Sequence, residues 1–186
     1  MKYKFLYFAL FAVLCFSNTL SASTFTWTGA GDGVSWNDES NWNDGDGFLT
    51  GDGIPLNSDD VIINGGTPIV NVANLVANNL TINGGTLSIN PGITLDIGGN
   101  FLMTAGILAF QNSIFNCAGS WNDVSGTISV AGISQVNLDG AGTISKNPVA
   151  SNDFRQLFIS GNYTAATDVK IIASFDITTT GALDIG

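Results

Sequence analysis

A chain of 186 residues with 15 acidic and 5 basic side chains, no histidine and a formal charge of −10 has room for one or two ordinary domains. So acidic a surface cannot neutralise phosphates or settle on anionic lipid, which excludes a nucleic-acid binder. The missing histidine also removes the commonest general base and transition-metal ligand.

Residues 1–22 read as a secretory signal peptide. Lys2 and Lys4 supply the positive start, and Phe5 to Phe16 is apolar apart from Tyr7. Ser21-Ala22-Ser23 offers small residues for cleavage. The run is about 12 residues, too short to span a bilayer. A secreted or cell-surface location follows, with no membrane span in the mature chain. Cleavage removes Cys15 and leaves Cys117 alone, so the mature fold is not stapled by a disulfide.

Residues 23–58 have their own texture. Thr24-Phe25-Thr26-Trp27-Thr28 alternates and predicts a strand. Gly31-Asp32-Gly33, Trp36, Asn41-Trp42 and Asp44-Gly45-Asp46-Gly47 follow. The structural reading is a Trp-rich N-terminal cap, in which Trp27, Trp36 and Trp42 plug the open end of a repeat stack. The functional reading makes these three rings platforms for sugars, with calcium held by Asp44, Asp46 and Asp52. Asp44-x-Asp46 begins like an EF-hand loop, but Phe48 occupies the third ligand position. No other cofactor is expected.

Residues 59–186 carry a repeat. Its clearest statement runs from Asn79 to Asn100, where Leu80-Thr81-Ile82, Leu87-Ser88-Ile89 and Leu95-Asp96-Ile97 are separated by Gly- and Asn-rich corners. Each Leu-x-Ile triplet puts two apolar side chains on one face and a polar one on the other. One such coil orders more backbone than its aliphatics can repay, so it needs neighbours above and below. The expected fold is therefore all-β, a three-sided β-solenoid of parallel strands. At about 22 residues per coil it makes about five to six coils. Similar triplets occur at Val61-Ile62-Ile63, Phe101-Leu102-Met103, Phe115-Asn116-Cys117, Val136-Asn137-Leu138, Leu157-Phe158-Ile159, Phe175-Asp176-Ile177 and Leu183-Asp184-Ile185. A second marker places a small corner before an aromatic, at Gly99-Asn100-Phe101, Gly119-Ser120-Trp121 and Gly161-Asn162-Tyr163. Lys146 to Gln156 interrupts the beat and is expected to be a longer loop. The last triplet stops mid-corner at Gly186, so the solenoid is expected to be truncated at its C-terminus.

Phe25-Thr26-Trp27-Thr28-Gly29, Gly31-Asp32-Gly33, Ser35-Trp36, Asn41-Trp42 and Asp59-Asp60-Val61-Ile62-Ile63 together resemble a module of large secreted bacterial surface proteins. These are repeat-rich adhesins or haemagglutinin-like proteins, including autotransporter passengers and type IX-secreted chains. The resemblance implies the start of a right-handed parallel β-helix. It also implies a structural or adhesive role, with surface glycans or other cell-surface proteins as partners.

Some β-helices degrade polysaccharides, a reaction that wants carboxylates facing one groove. Asp59 and Asp60 are adjacent and so face opposite ways. Asp96, Asp139, Asp176 and Asp184 do not recur at a clear coil spacing. No catalytic residue is assigned, and the chain is read as a non-enzyme. A carbohydrate-binding module, assisted by calcium, is the alternative.

Overall fold

The computed structural model describes residues 22–46, 53–148, 153–178 and 181–185. The expected leader, as far as residue 21, and Asp52 lie outside them. No helix among the described residues is long and apolar enough to cross a membrane.

The chain begins with β1 (Thr24–Trp27), a 3-10 turn at Glu39–Asn41 and β2 (Trp42–Asn43). Successive coils then follow. The first holds β3 (Asp60–Ile63), β4 (Ile69–Val70) and β5 (Leu75–Ala77). The second holds β6 (Leu80–Ile82), β7 (Thr86–Ile89) and β8 (Thr94–Ile97). The third is β9 (Phe101–Met103), β10 (Ile107–Gln111) and β11 (Ile114–Cys117). The fourth is β12 (Trp121–Asp123), β13 (Thr127–Ala131) and β14 (Gln135–Leu138). Beyond it come β15 (Ala141–Ser145) with β16 (Phe154–Ile159), β17 (Asn162–Ala165) with β18 (Ile171–Ile177), and β19 (Ala182–Asp184).

These strands stack into three sheets, making a β-solenoid of about six turns. The first sheet runs β19-β17-β15-β12-β9-β6-β3-β1-β2, the second β13-β10-β7-β4, and the third β18-β16-β14-β11-β8-β5. Among the described strands only β2 runs antiparallel to its neighbour, β1. The Asn79–Asn100 stretch is one coil, with one triplet on each sheet.

Register explains the core. Val61, Leu80, Phe101, Trp121 and Ile144 are ladder partners on the first sheet. Leu75, Leu95, Phe115, Val136 and Leu157 form the matching column on the third. Leu87, Leu108 and Ile128 do so on the second. All point inward and are buried. Like thus sits on like, and each coil closes the apolar face of the one before.

Corners are fixed by space and by polar ladders. Gly85 takes φ +73°, and a Cβ there would come within 2.5 Å of the Gly65 carbonyl carbon. No side chain fits where turns stack this closely. At another corner, oxygens climb the rod coil by coil. Asp60 Oδ1 accepts the Asn79 amide N–H at 3.2 Å. Asn79 Oδ1 accepts that of Asn100 at 2.7 Å, and Asn100 Oδ1 accepts that of Ser120 at 2.8 Å. Ser120 Oγ accepts that of Thr143 at 3.1 Å. This ladder is the physical content of the small-corner-plus-aromatic marker in its first two occurrences. The third differs: Tyr163 pairs with Gly142, and Ala165 takes the position above Ile144.

Other details also depart from expectation. β1 joins the first sheet in register with β3, so the cap segment supplies a strand of the stack. Leu183-Asp184-Ile185 echoes Leu95-Asp96-Ile97 in sequence, yet β19 lies on the first sheet and β8 on the third. The interruption at Lys146 ends at Asp153, because Phe154 already starts β16. β13 is the last described strand of the second sheet, while the other two sheets have described strands beyond it.

Candidate functional site

The cap is built on carboxylate and amide side chains that replace missing backbone partners. Asp32 Oδ1 accepts the N–H groups of Val34 at 2.8 Å and Ser35 at 2.7 Å, and Asn41 Nδ2 donates to it at 2.7 Å. Asn41 is fully buried, and its Oδ1 accepts the N–H groups of Gly31 at 3.0 Å and Gly33 at 2.9 Å. Asp38 Oδ2 accepts the Asp32 N–H at 2.8 Å. Hydrogen bonds from the Ser35 hydroxyl and amide, the Val34 amide and Asn41 hold the Asp32 carboxyl well below the usual carboxylate range. The Gly-Asp-Gly motif is thus a folding device. Gly33 adopts φ +73°, and a Cβ on Gly31 would strike Asp38 Oδ2 at 2.4 Å.

The three tryptophans singled out as sugar platforms face inward. Trp36 and Trp42 are 0% exposed and Trp27 is 6% exposed. Trp42 packs edge-to-face on Trp27 at 5.0 Å and on Trp36 at 4.8 Å, and its Nε1 donates to the Trp36 carbonyl at 2.6 Å. Their faces are consumed by one another, as a plug requires, and none is presented to a glycan. This burial has a simple cause. Thr24-x-Thr26-x-Thr28 puts Phe25 and Trp27 on the core side of β1, and the other two rings fill the space this leaves.

Of the calcium candidates, Asp44 Oδ1 accepts the Asp46 N–H at 3.0 Å, and Asp52 lies outside the described residues. Among the described residues no three carboxylates or thiols converge to hold a metal ion. Asp59 and Asp60 do face opposite ways. Asp59 is buried and accepts the N–H groups of Ser23 at 3.0 Å and Leu56 at 2.9 Å. Asp60 accepts from Asn78 and Asn79 on the next coil.

On the outer wall of the third sheet, Asp96, Asn116, Asn137, Phe158 and Asp176 are successive ladder partners. Asn116 Nδ2 donates to Asp96 Oδ1, and Asn137 Nδ2 donates to Asn116 Oδ1 at 2.8 Å. The two aspartates share a column but are separated by Asn116, Asn137 and Phe158. Asp184 lies on the first sheet, and Asp139 follows β14 at the surface.

One cluster escaped sequence reasoning. Asp123 points inward from β12 and is 1% exposed, and Lys146 is 5% exposed. Lys146 Nζ lies 3.6 Å from Asp153 Oδ1 and 5.0 Å from the Phe154 ring centroid, and Lys170 Nζ lies 2.7 Å from Asp153 Oδ2. Burial pulls the Lys146 ammonium below its ordinary range, against the attraction of Asp153 and Asp123. The Lys170 hydrogen bond holds the Asp153 carboxyl below its own. Nothing in Trp121-Asn122-Asp123 marks the aspartate as interior. The sole hint is that inward positions alternate, so the second residue after an inward Trp121 also faces the core.

The fold and these clusters define a β-solenoid, a repeat protein whose polar side chains mainly tie coil to coil. No family model, curated protein sequence or solved structure matches the chain.

Proposed function

We propose that this chain is an exported β-solenoid segment that extends or displays contacts at a cell surface, a structural and adhesive role. The observation that carries the reading is the parallel register kept from coil to coil, apart from a bulge between β16 and β18. Inward positions are aliphatic or aromatic with few exceptions such as Asp123, while Asp60, Asn79, Asn100 and Ser120 spend their side-chain oxygens on the next coil. Such a chain invests its side chains in stiffness along one axis, which is what a spacer or display shaft needs. The leader supports export, and the resemblance of residues 25–63 to surface adhesins supports the location and a right-handed coil. Its adhesive contacts would fall to the walls and corner loops, since the cap tryptophans are committed to packing.

Expression of the full chain in a bacterium tests the export half. N-terminal sequencing of the extracellular product is expected to begin near Ser23, and retention of the intact leader inside the cell would reject it. Beads coated with the secreted product test the adhesive half. Binding to glycan arrays or intact cells is expected. Its absence would leave the spacer role alone.

A further inference from the structure

Among the described basic residues only Lys146 is buried. Its side chain is 4% exposed, and its Nζ lies 3.6 Å from Asp153 Oδ1 and 5.0 Å from the Phe154 ring centroid. Phe154 in turn packs on the covered Trp121 ring at 5.2 Å. Lys170 Nζ holds the other oxygen of the same carboxylate at 2.7 Å, but its side chain is 72% exposed and keeps its hydration. A second carboxylate stands close by. Trp121 and Asn122 are ladder partners of Ile144 and Ser145, and Asp123 and Lys146 are the next residue on each chain. Asp123 is buried as well.

These groups are held in place. The Lys146 N–H donates to Thr167 Oγ1 at 2.7 Å, and the Phe154 N–H, next to Asp153, donates to the Lys170 carbonyl at 3.1 Å. An amine and a carboxyl fixed this near each other have little entropy left to lose on reacting. The surroundings also favour the product. Keeping an ammonium out of water is costly, and one partner carboxylate returns only part of the cost. Condensation to an amide removes both charges at once.

We propose that Lys146 and Asp153 condense, once the chain has folded, into an intramolecular isopeptide bond. Asp123 takes the first proton from the Lys146 ammonium. The freed amine attacks Cγ of Asp153 and forms the Nζ–Cγ bond, while the Lys170 ammonium steadies the charge on Oδ2. The Cγ–Oδ1 bond then breaks, and Oδ1 leaves as water with two protons that began on Nζ, the first of them carried by Asp123. Ammonium and carboxylate become amide and water, and nothing else is consumed. The Phe154 and Trp121 rings keep bulk water from reversing the step. The bond closes a covalent ring from Lys146 to Asp153, where the repeat is interrupted. It is independent of the surface role proposed above.

Intact-mass measurement on the full chain, folded and then denatured, tests this. The mass is expected to fall short of that of the sequence by one water molecule. Trypsin is expected to leave the chain uncut after Lys146, and fragmentation of the resulting peptide to give no ions from single breaks between Lys146 and Asp153. Lys146→Arg and Asp153→Ala are each expected to show the full mass. Asp123→Asn is expected to slow the loss of water, followed in time after refolding, by roughly a hundredfold. A native chain of full mass, cut by trypsin after Lys146, would overturn the proposal without recourse to any variant. A water loss that survives Lys146→Arg would overturn it equally and assign the loss to cyclisation at an Asp-Gly bond such as Asp139-Gly140.

Discussion

Asp32 ties the cap together through the Val34 and Ser35 amides and Asn41. Its native pKa is depressed, so the folded state keeps the carboxylate ionised after the unfolded chain has taken up a proton. The stabilisation is therefore complete above the unfolded value of about 3.9 and fades as pH falls below it. Asp32→Asn is expected to lower the melting temperature at neutral pH by a few degrees and to flatten its decline on acidification. Thermal unfolding followed from pH 7 down to pH 2 reads both, and an equally steep acid decline in the variant would contradict the assignment. Cys117 behaves oppositely. Burial pushes its thiol up to about 11, and it serves as a small apolar side chain beneath Leu138. That role was legible from its place two residues after Phe115. The meaning of Asp32 was not, because a Gly-Asp-Gly loop reads equally well as a cation site until its hydrogen bonds are known.

Among the elements, legibility followed alternation. Leu80-Thr81-Ile82, Thr94–Ile97 and Phe115-Asn116-Cys117 each bury two apolar side chains around a polar one, and each was found from sequence. β5 was missed because Leu75-Val76-Ala77 is apolar throughout and shows no period. β17 was missed because Tyr163 is its sole buried side chain. β12 ends on Asp123, a charge at a position the pattern reserves for an aliphatic. That exception carries the prediction at this scale. Lys146→Ala removes a buried ammonium that faces Asp153 and is attracted by Asp123, and is expected to cost roughly 3–5 kcal/mol. Joining Lys146→Met to Asp123→Leu should recover most of the loss, because an apolar pair restores the column of Ile63, Ile82 and Met103 below it. Urea unfolding of both single variants and the double variant forms the test, and strictly additive losses would argue against coupling.

At the scale of the whole molecule, stacking makes one turn of chain exchangeable for another. Phe101 holds the ladder position above Leu80, so deleting residues 80–100 joins Asn79 to a residue of matching register. The shortened chain is expected to fold with the same parallel-sheet spectrum and a denaturant m-value lower by about one-eighth. Loss of cooperative unfolding would show that coils are not equivalent. The number of coils and the three-sheet plan were readable because a period survives the degeneracy of any one repeat. The inward Asp123 was not, since no period marks a charge as interior. The pairing of the described strands has a mechanical consequence. Interstrand bonds in this rod lie along its axis, so tension applied between the two tips opens them a few at a time. Beyond β13 each turn is held by two described strands where earlier turns have three. Among the described residues the turns past β13 therefore let go first under load, and the tryptophan-plugged base lets go last.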